Sequence, residues 1–250
     1  MLSLRGVTIA FGGLTAVDRL TMTVHENSVT ALIGPNGAGK TTAFNLIGGV
    51  YAPAAGEIEF IGKVISGLKP YQVNERGIAR TYQNIHLFSG MTVLENIMVG
   101  RHTKGTCGLA SDLFRTRRQR AEEREILEKS AGILEFIGLA DHASEIAKNL
   151  PYGQQKKLEI GRALASDPKM LLLDEPVAGM NSKEKIDVMD FILKIRGLDK
   201  TILLVEHDMK MVMGMADSVY VMNYGKLIAS GKPEEIQRDP VVIEAYLGSE

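Results

Sequence analysis

The stretch that most constrains this chain is Gly34-Pro35-Asn36-Gly37-Ala38-Gly39-Lys40-Thr41-Thr42, which follows the pattern Gly-x4-Gly-Lys-Ser/Thr. Before it, Val29-Thr30-Ala31-Leu32-Ile33 is apolar and partly β-branched and reads as a buried strand. After it, Thr42-Ala43-Phe44-Asn45-Leu46-Ile47 reads as a helix. Strand, glycine loop and helix in that order make a phosphate cradle. Glycines let backbone N–H groups turn inward toward phosphate oxygens, and the helix N-terminus adds unpaired donors and partial positive charge. In such a cradle Lys40 reaches the terminal phosphates, and the Thr41 hydroxyl suits Mg²⁺, a hard ion that prefers oxygen. The stretch specifies a nucleotide site and leaves the reaction open.

The second strong signal is Met170-Leu171-Leu172-Leu173-Asp174-Glu175-Pro176, a buried strand ending in two carboxylates and stopped by proline. In phosphate-loop proteins an acidic residue at such a strand end holds Mg²⁺. A second carboxylate beside it can polarise the attacking water. A further apolar strand, Thr201 to Val205, ends in Glu206-His207-Asp208. A histidine at the C-terminal edge of such a sheet lies where ligands bind; it serves either to donate to a γ-phosphate or as a structural histidine. Gln83 follows the strand-like Gly77 to Tyr82, where its amide can hold a Mg²⁺-bound water or simply face solvent. Leu150-Pro151-Tyr152-Gly153-Gln154-Gln155 is a glycine-bearing turn leading into a helix over 156–165, which is either an anion-binding geometry or a plain cap. Phe11, beside Gly12 and Gly13, reads as a turn residue that either stacks on a base or fills an edge of the core.

Between these motifs, residues 2–10 and 20–25 read as strands of a hairpin-like N-terminal sheet. Residues 57–60, 63–65, 218–223 and 226–230 read as further strands, the last two joined by Tyr224-Gly225. Pro70 to Glu75, 92–101, 126–137, Pro233 to Gln237 and Pro240 to Leu247 read as helices. Thr92 and Glu95 have the spacing of a capping box. Residues 92–148 are mostly helical and interrupt the α/β alternation, so they read as an inserted helical subdomain. Met209, Met211, Met213 and Met215 read as packing residues.

With 250 residues the chain can bury one large core or two small ones. Its net charge of −1 supplies no global field for nucleic acid. The arginines at 115, 117, 118 and 120 form a local basic run that reads as a solvated helix face, with lipid headgroups or an acidic loop as the alternative contact. The single cysteine, Cys107, cannot form an internal disulfide, and no Cys/His cluster has zinc spacing. No apolar run approaches the ~18 residues of a membrane span, and the first residues lack the plan of a signal peptide. Any work at a membrane therefore calls for docking onto a partner.

Phosphate loop, Gln83, the Leu150-to-Gln154 turn, Asp174-Glu175 and His207 occur in that order, with helices between the second and third. This order resembles the ATP-binding cassette (ABC) ATPases and covers nearly the whole chain. The resemblance implies a single domain over 1–250: a core with an antiparallel β subdomain (1–91 and 167–250) and a helical subdomain (92–166) ending in the family's signature motif and its helix. It implies ATP and Mg²⁺ as ligands. It makes Phe11 the adenine-stacking aromatic and residues 34–42 the phosphate binders. Thr41, Gln83 and Asp174 become Mg²⁺ contacts, Glu175 the base, and His207 the switch histidine. Pro151-Tyr152-Gly153-Gln154 takes the place of Ser-Gly-Gly-Gln, which in that family closes over ATP held by a second cassette.

Three positions depart from the pattern. Pro151 lacks both the serine hydroxyl and a backbone N–H, Tyr152 stands in place of the first signature glycine, and Asn181 stands where aspartate is usual; all bear on dimer closure. A narrower resemblance, to the ATP-binding subunits of branched-chain amino acid importers, lies in Arg80 to Phe88, Tyr152 to Ile160, Ala178 to Asn181 and Ile243 to Gly248. The insert at 101–125 fits that group. Urea or amide importers look nearly the same, and the lipopolysaccharide-export ATPase is a cousin. This resemblance implies a second cassette subunit, identical or related, two permeases, an external solute-binding protein, and a place on the cytoplasmic face of the membrane. Soluble cassette ATPases usually carry two cassettes or coiled coils, and no heptad run is present. A kinase or GTPase is disfavoured by the signature-like turn and by the lack of Asn-Lys-x-Asp.

Overall fold

In the computed structural model, residues 1–101 and 117–247 are described; the side chains of 117–120 and 122 are left aside. Cys107, the arginine side chains of the basic run at 115–120 and Gly248 thus lie outside the described residues. The chain divides into two compact units, Met1–Gln83 with Lys169–Glu250, and Asn84–Pro168.

The first unit carries two sheets. β1 (Leu2–Phe11), β2 (Leu14–Val24), β4 (Ala55–Phe60) and β5 (Lys63–Val64) form an antiparallel sheet in the order β2-β1-β4-β5. The gap expected between the strands at 2–10 and 20–25 is much shorter in the structure. Only Gly12 and Gly13 turn, both with positive φ, and Phe11 pairs directly with Leu14. A two-residue glycine loop with positive φ matches the twist of a hairpin, so the strands continue to its edge.

The other sheet has the order β10-β9-β3-β8-β7-β6. Its members are β3 (Val29–Ile33), β6 (Ile78–Arg80), β7 (Met170–Asp174), β8 (Thr201–Val205), β9 (Ser218–Asn223) and β10 (Lys226–Gly231). All pairs are parallel except β9–β10, an antiparallel edge hairpin. Every residue of β3, β7 and β8 is buried. Continuous apolar runs are what a parallel sheet covered on both faces requires. Helices α1 (Lys40–Ile47) and α2 (Pro70–Glu75) belong to this unit, with α6 (Ser182–Arg196) and α7 (Met209–Met215) after β7 and β8 and short α8 (Pro233–Ile236) and α9 (Pro240–Leu247) at the end. Met211 and Met215, one turn apart, are buried in α7.

The second unit is helical: α3 (Val93–Arg101), α4 (Arg117–Phe136) and α5 (Tyr152–Ala165). The Thr92–Glu95 capping box forms in both directions, at 2.7 and 3.2 Å. Helix α5 begins at Tyr152, four residues earlier than the sequence pattern suggests, because Pro151 takes the N-cap position with extended backbone. Small residues let the helices approach closely. A Cβ on Gly100 would sit 2.2 Å from the Arg162 carbonyl, and one on Gly161 2.8 Å from Ile137. The buried amide of Asn96 accepts from Phe88 N–H and donates to the Phe88 and Thr92 carbonyls, holding the loop before α3.

Candidate functional site

The loop between β3 and α1 cannot tolerate side chains at its two ends. Gly34 has φ +148, and a Cβ there would lie 2.1 Å from the Met222 carbonyl oxygen. Gly39 has φ +100, and its Cβ would lie 2.4 Å from the Ala16 oxygen. The first glycine lets the loop leave the sheet against β9, and the last lets α1 start against β2. Lys40 is buried, and its ammonium donates to the loop's own carbonyls at Gly34 (2.6 Å) and Pro35 (2.9 Å). Burial pushes its pKa below the ordinary lysine value, while the charges of Glu175 and Asp174 pull the other way. A cavity of about 470 Å³ opens beside the loop, a size that suits a small-molecule ligand. Asn36 to Thr42 line it together with Leu14 to Ala16, Gln83, Glu175, Tyr224 and Gly225.

The acidic strand end meets this cavity. Glu175 has left-handed backbone, φ 44, immediately after β7, and its N–H donates to the Val205 carbonyl (3.0 Å) at the end of β8. Its carboxylate accepts from Gln83 Nε2 at 2.9 Å, and His207 Nδ1 lies 3.7 Å from the other oxygen. Gln83, Glu175 and His207, far apart in sequence, are thus brought together. The His207 ring is more than half exposed. Asp174 is nearly buried and ion-paired with Arg80 at 3.0 Å. Arg80 also donates to Asn45 at 2.7 Å and lies over the rings of Tyr82 and Phe44.

Glu206 escapes a local reading of the sequence. It is fully buried and accepts from the N–H groups of Val177, His207 and Asp208. Those bonds fasten the turn after Glu175 to the turn that carries His207. Burial raises its pKa, and the three N–H donors oppose that rise. The signal for both Arg80 and Glu206 is a charged residue at the end of an apolar strand, which a close reading of strand ends would flag.

Among the described residues no group of three His, Cys, Asp or Glu side chains could cage a metal. The oxygens of Thr41, Gln83 and Asp174 instead form a sparse, hard donor set, which fits Mg²⁺ shared with phosphates and waters. Thr41 and Gln83 line the cavity; Asp174, next to the lining residue Glu175 in sequence, is ion-paired with Arg80. Phe11, 44% exposed at the end of β1, meets Tyr51 edge-on at 5.1 Å and is not among the residues lining the cavity. Asn181 caps α6, accepting from the N–H groups of Lys183 and Glu184 while its own N–H donates to Glu184. Asparagine and aspartate cap equally well, so the cap survives the departure at this position.

In the helical unit, Pro151 caps α5 without a side-chain hydrogen bond. The first N–H to bond back is that of Gln155, to the Pro151 carbonyl at 2.9 Å. The N–H groups of Tyr152, Gly153 and Gln154 therefore lie in the helix's unpaired first turn. The Gln154 side-chain oxygen is buried without a hydrogen-bond partner among the described residues. Gln155 uses its amide on the Leu150 carbonyl at 2.8 Å. Lys156 and Glu159 form a fully buried pair at 2.9 Å, and Glu159 also accepts from His86 N–H.

Comparison with known proteins adds to this geometry. Residues 17–178 match the ABC transporter family model, and 226–250 match the model described as branched-chain amino acid ATP-binding cassette transporter. The chain is 45% identical to the high-affinity branched-chain amino acid transport ATP-binding protein LivG of Salmonella typhimurium, over 99% of this chain and 98% of that one. It is 44% identical to BraF of Pseudomonas aeruginosa, which has the same description and the same coverage. Among solved structures, the ADP conformation of an ATP-binding cassette of an ABC transporter aligns with a TM-score of 0.88 at 36% identity, covering 100% of this chain and 99% of that one.

Proposed function

The chain belongs to the ABC transporter family of ATP-binding cassettes, and from that premise we propose that it hydrolyses ATP to power uptake of branched-chain amino acids through partner permeases. The observation that carries the reading is the cavity in which the Lys40 loop, Gln83 and Glu175 meet. In this reading the N–H groups of residues 34–42 and the Lys40 ammonium bind the ATP phosphates. Thr41 and Asp174, with Gln83 through water, would hold Mg²⁺, which would supply neutralisation of phosphate charge when bound.

Glu175 takes a proton from water as the water oxygen attacks the γ-phosphorus. The bond to the bridging oxygen breaks, and ADP leaves with that oxygen. Gln83 holds the Glu175 carboxylate in place, and His207 donates to a γ-phosphate oxygen. General-base assistance of this kind is worth about 10²–10⁴-fold.

The unpaired first turn of α5 supports a role for Pro151 to Gln154 as donors to ATP held by a second cassette, with Gly153 N–H replacing what Pro151 lacks. No described helix is long and apolar enough to cross a membrane, so two permeases would supply the pathway and the cassette would sit on their cytoplasmic face. Substrate would be chosen by the permeases and an external binding protein. The match over 226–250 and the full-length relatives favour branched-chain amino acids as that substrate.

The test is uptake of labelled leucine by native-host cells whose only copy of the chain is Lys40→Ala, with urea uptake measured alongside. Loss of leucine uptake alone supports the proposal. Loss of urea uptake alone, or retention of both, contradicts it.

A further inference from the structure

We propose that Arg80 is the positioning residue of the Mg²⁺ carboxylate, its guanidinium fixing the plane in which Asp174 meets the metal held with the nucleotide. The proposal rests on the nucleotide reading of the cavity and adds a residue that acts only through Asp174.

An aspartate at a strand end does not hold its own carboxylate plane, because its terminal torsion is broad. Mg²⁺ is exacting and demands near-ideal octahedral geometry. A carboxylate ligand therefore depends on the groups that orient it. Here the apolar run of β7 ends at Asp174, whose side chain is 4% exposed, and Arg80 supplies the hold. Arg80 closes β6, whose register against β7 sets it opposite Leu172. Its Nη2 donates to Asp174 Oδ2 at 3.0 Å.

The guanidinium is itself fixed from other sides. Nη1 donates to Asn45 Oδ1 on α1 at 2.7 Å. The ring centroids of Phe44 and Tyr82 lie 5.7 and 4.9 Å from its Cζ, both within cation–π range. A Cβ on Gly48, just past α1, would lie 3.4 Å from Nη1, so little room remains there. The Arg80 side chain is 9% exposed. Its Nε is buried without a hydrogen-bond partner among the described residues, so the fork is aimed at Asp174 and Asn45 with one donor left unmet. A lysine could neutralise Asp174, but only a planar fork holds Asp174 and Asn45 in one fixed relation. Asn45 lies on the helix that starts at Lys40, so the fork ties the carboxylate to the helix of the phosphate loop.

The charge of Arg80 works against its position, since a cation beside Asp174 repels a metal ion. If charge decided, removing Arg80 would strengthen what Mg²⁺ adds to nucleotide binding. Position decides here, because polyanionic phosphates share the metal and because a buried carboxylate left unpaired turns toward whatever donors remain.

The experiment measures ATP affinity by calorimetry on the full purified chain, in excess Mg²⁺ and in EDTA, for the wild type, Arg80→Gln and Asn45→Ala. The ratio of the two Kd values reads what Mg²⁺ adds to binding. Arg80→Gln should lower that ratio about 10- to 100-fold, the scale of losing a partner of a metal ligand, or to one where the wild-type ratio is smaller. Its Kd in EDTA should stay within about twofold of the wild type, because the phosphate loop is untouched. Asn45→Ala frees one side of the guanidinium while keeping its charge, and should lower the ratio by a smaller factor. An unchanged ratio in Arg80→Gln overturns the proposal; if that variant does not fold, an unchanged ratio in Asn45→Ala does so. A raised ratio in Arg80→Gln also overturns it, because Arg80 would then compete with the metal. Equal losses in Mg²⁺ and in EDTA overturn it by reducing Arg80 to a strut between β6 and α1. A wild-type ratio of one overturns the Mg²⁺ reading of Asp174 and the proposal with it. A wild type that binds no ATP overturns the nucleotide reading itself.

Discussion

The phosphate loop at 34–42 and the turn at 150–155 both carry glycine into a helix N-terminus, yet they are built on different terms. In the first, Gly34, Gly37 and Gly39 all have positive φ, and the two outer glycines touch backbone carbonyls of β9 and β2 so closely that no side chain fits. It brings its own cation, Lys40, and opens onto the Glu175 carboxylate just after β7. In the second, Gly153 sits inside the first turn of a helix, Pro151 blocks one donor, and Tyr152 is 44% exposed. The first holds the parts of an anion site in one place. The second offers helix N–H donors with no cation in the turn itself, which suits a surface that completes a site rather than one that forms it.

Substitutions can break or sharpen this contrast. The largest effect is expected from Lys40→Ala, which removes the loop's cation and should weaken ATP binding by at least about 100-fold, as measured by calorimetry; charged hydrogen bonds to phosphate are worth about 1.5–3 kcal/mol each, and a lysine ammonium has three donors to offer. ATP affinity within a few-fold of the wild type would remove the loop as the phosphate site. Next comes a matched pair. Gly34→Ala forces a Cβ into the Met222 carbonyl and should lower the melting temperature while abolishing ATP binding. Gly153→Ala replaces a helical glycine and should raise helix stability by up to about 1 kcal/mol. Equal damage from both would erase the distinction between the two turns. The smallest effect is expected from Pro151→Ser, which restores a hydroxyl cap and an N–H donor at the start of α5. ATP-driven self-association, followed by sedimentation, should strengthen several-fold, since an N-cap hydroxyl is worth about 1 kcal/mol. An unchanged profile would show that the N–H groups from Gly153 onward suffice.

The parts of the site that could be read from sequence are those whose chemistry is local. A glycine loop between strand and helix, and an apolar strand closed by Asp174-Glu175, announce themselves within a short stretch of chain. So do the Thr92–Glu95 cap and the Pro70 helix start. What escaped depends on neighbours distant in sequence. Arg80 matters because Asp174 and Asn45 stand around it, 94 and 35 residues away. Glu206 matters because three N–H groups converge on it in the interior. The extent of the first hairpin is misread from sequence: the strands run on to Phe11 and Leu14, where a break is expected. The Gly12-Gly13 pair was itself the available signal, since two glycines between β-forming residues suffice for a tight hairpin.

Glu175→Gln tests the central claim most directly, because it keeps the side-chain shape beside Gln83 and His207 and removes only the ability to take a proton. Equilibrium ATP binding and steady-state phosphate release would be measured on the same preparation. The proposed chemistry predicts ATP affinity within about threefold of the wild type, with turnover reduced about 10²–10⁴-fold. Turnover at the wild-type rate with intact binding would contradict it and assign the proton to another group.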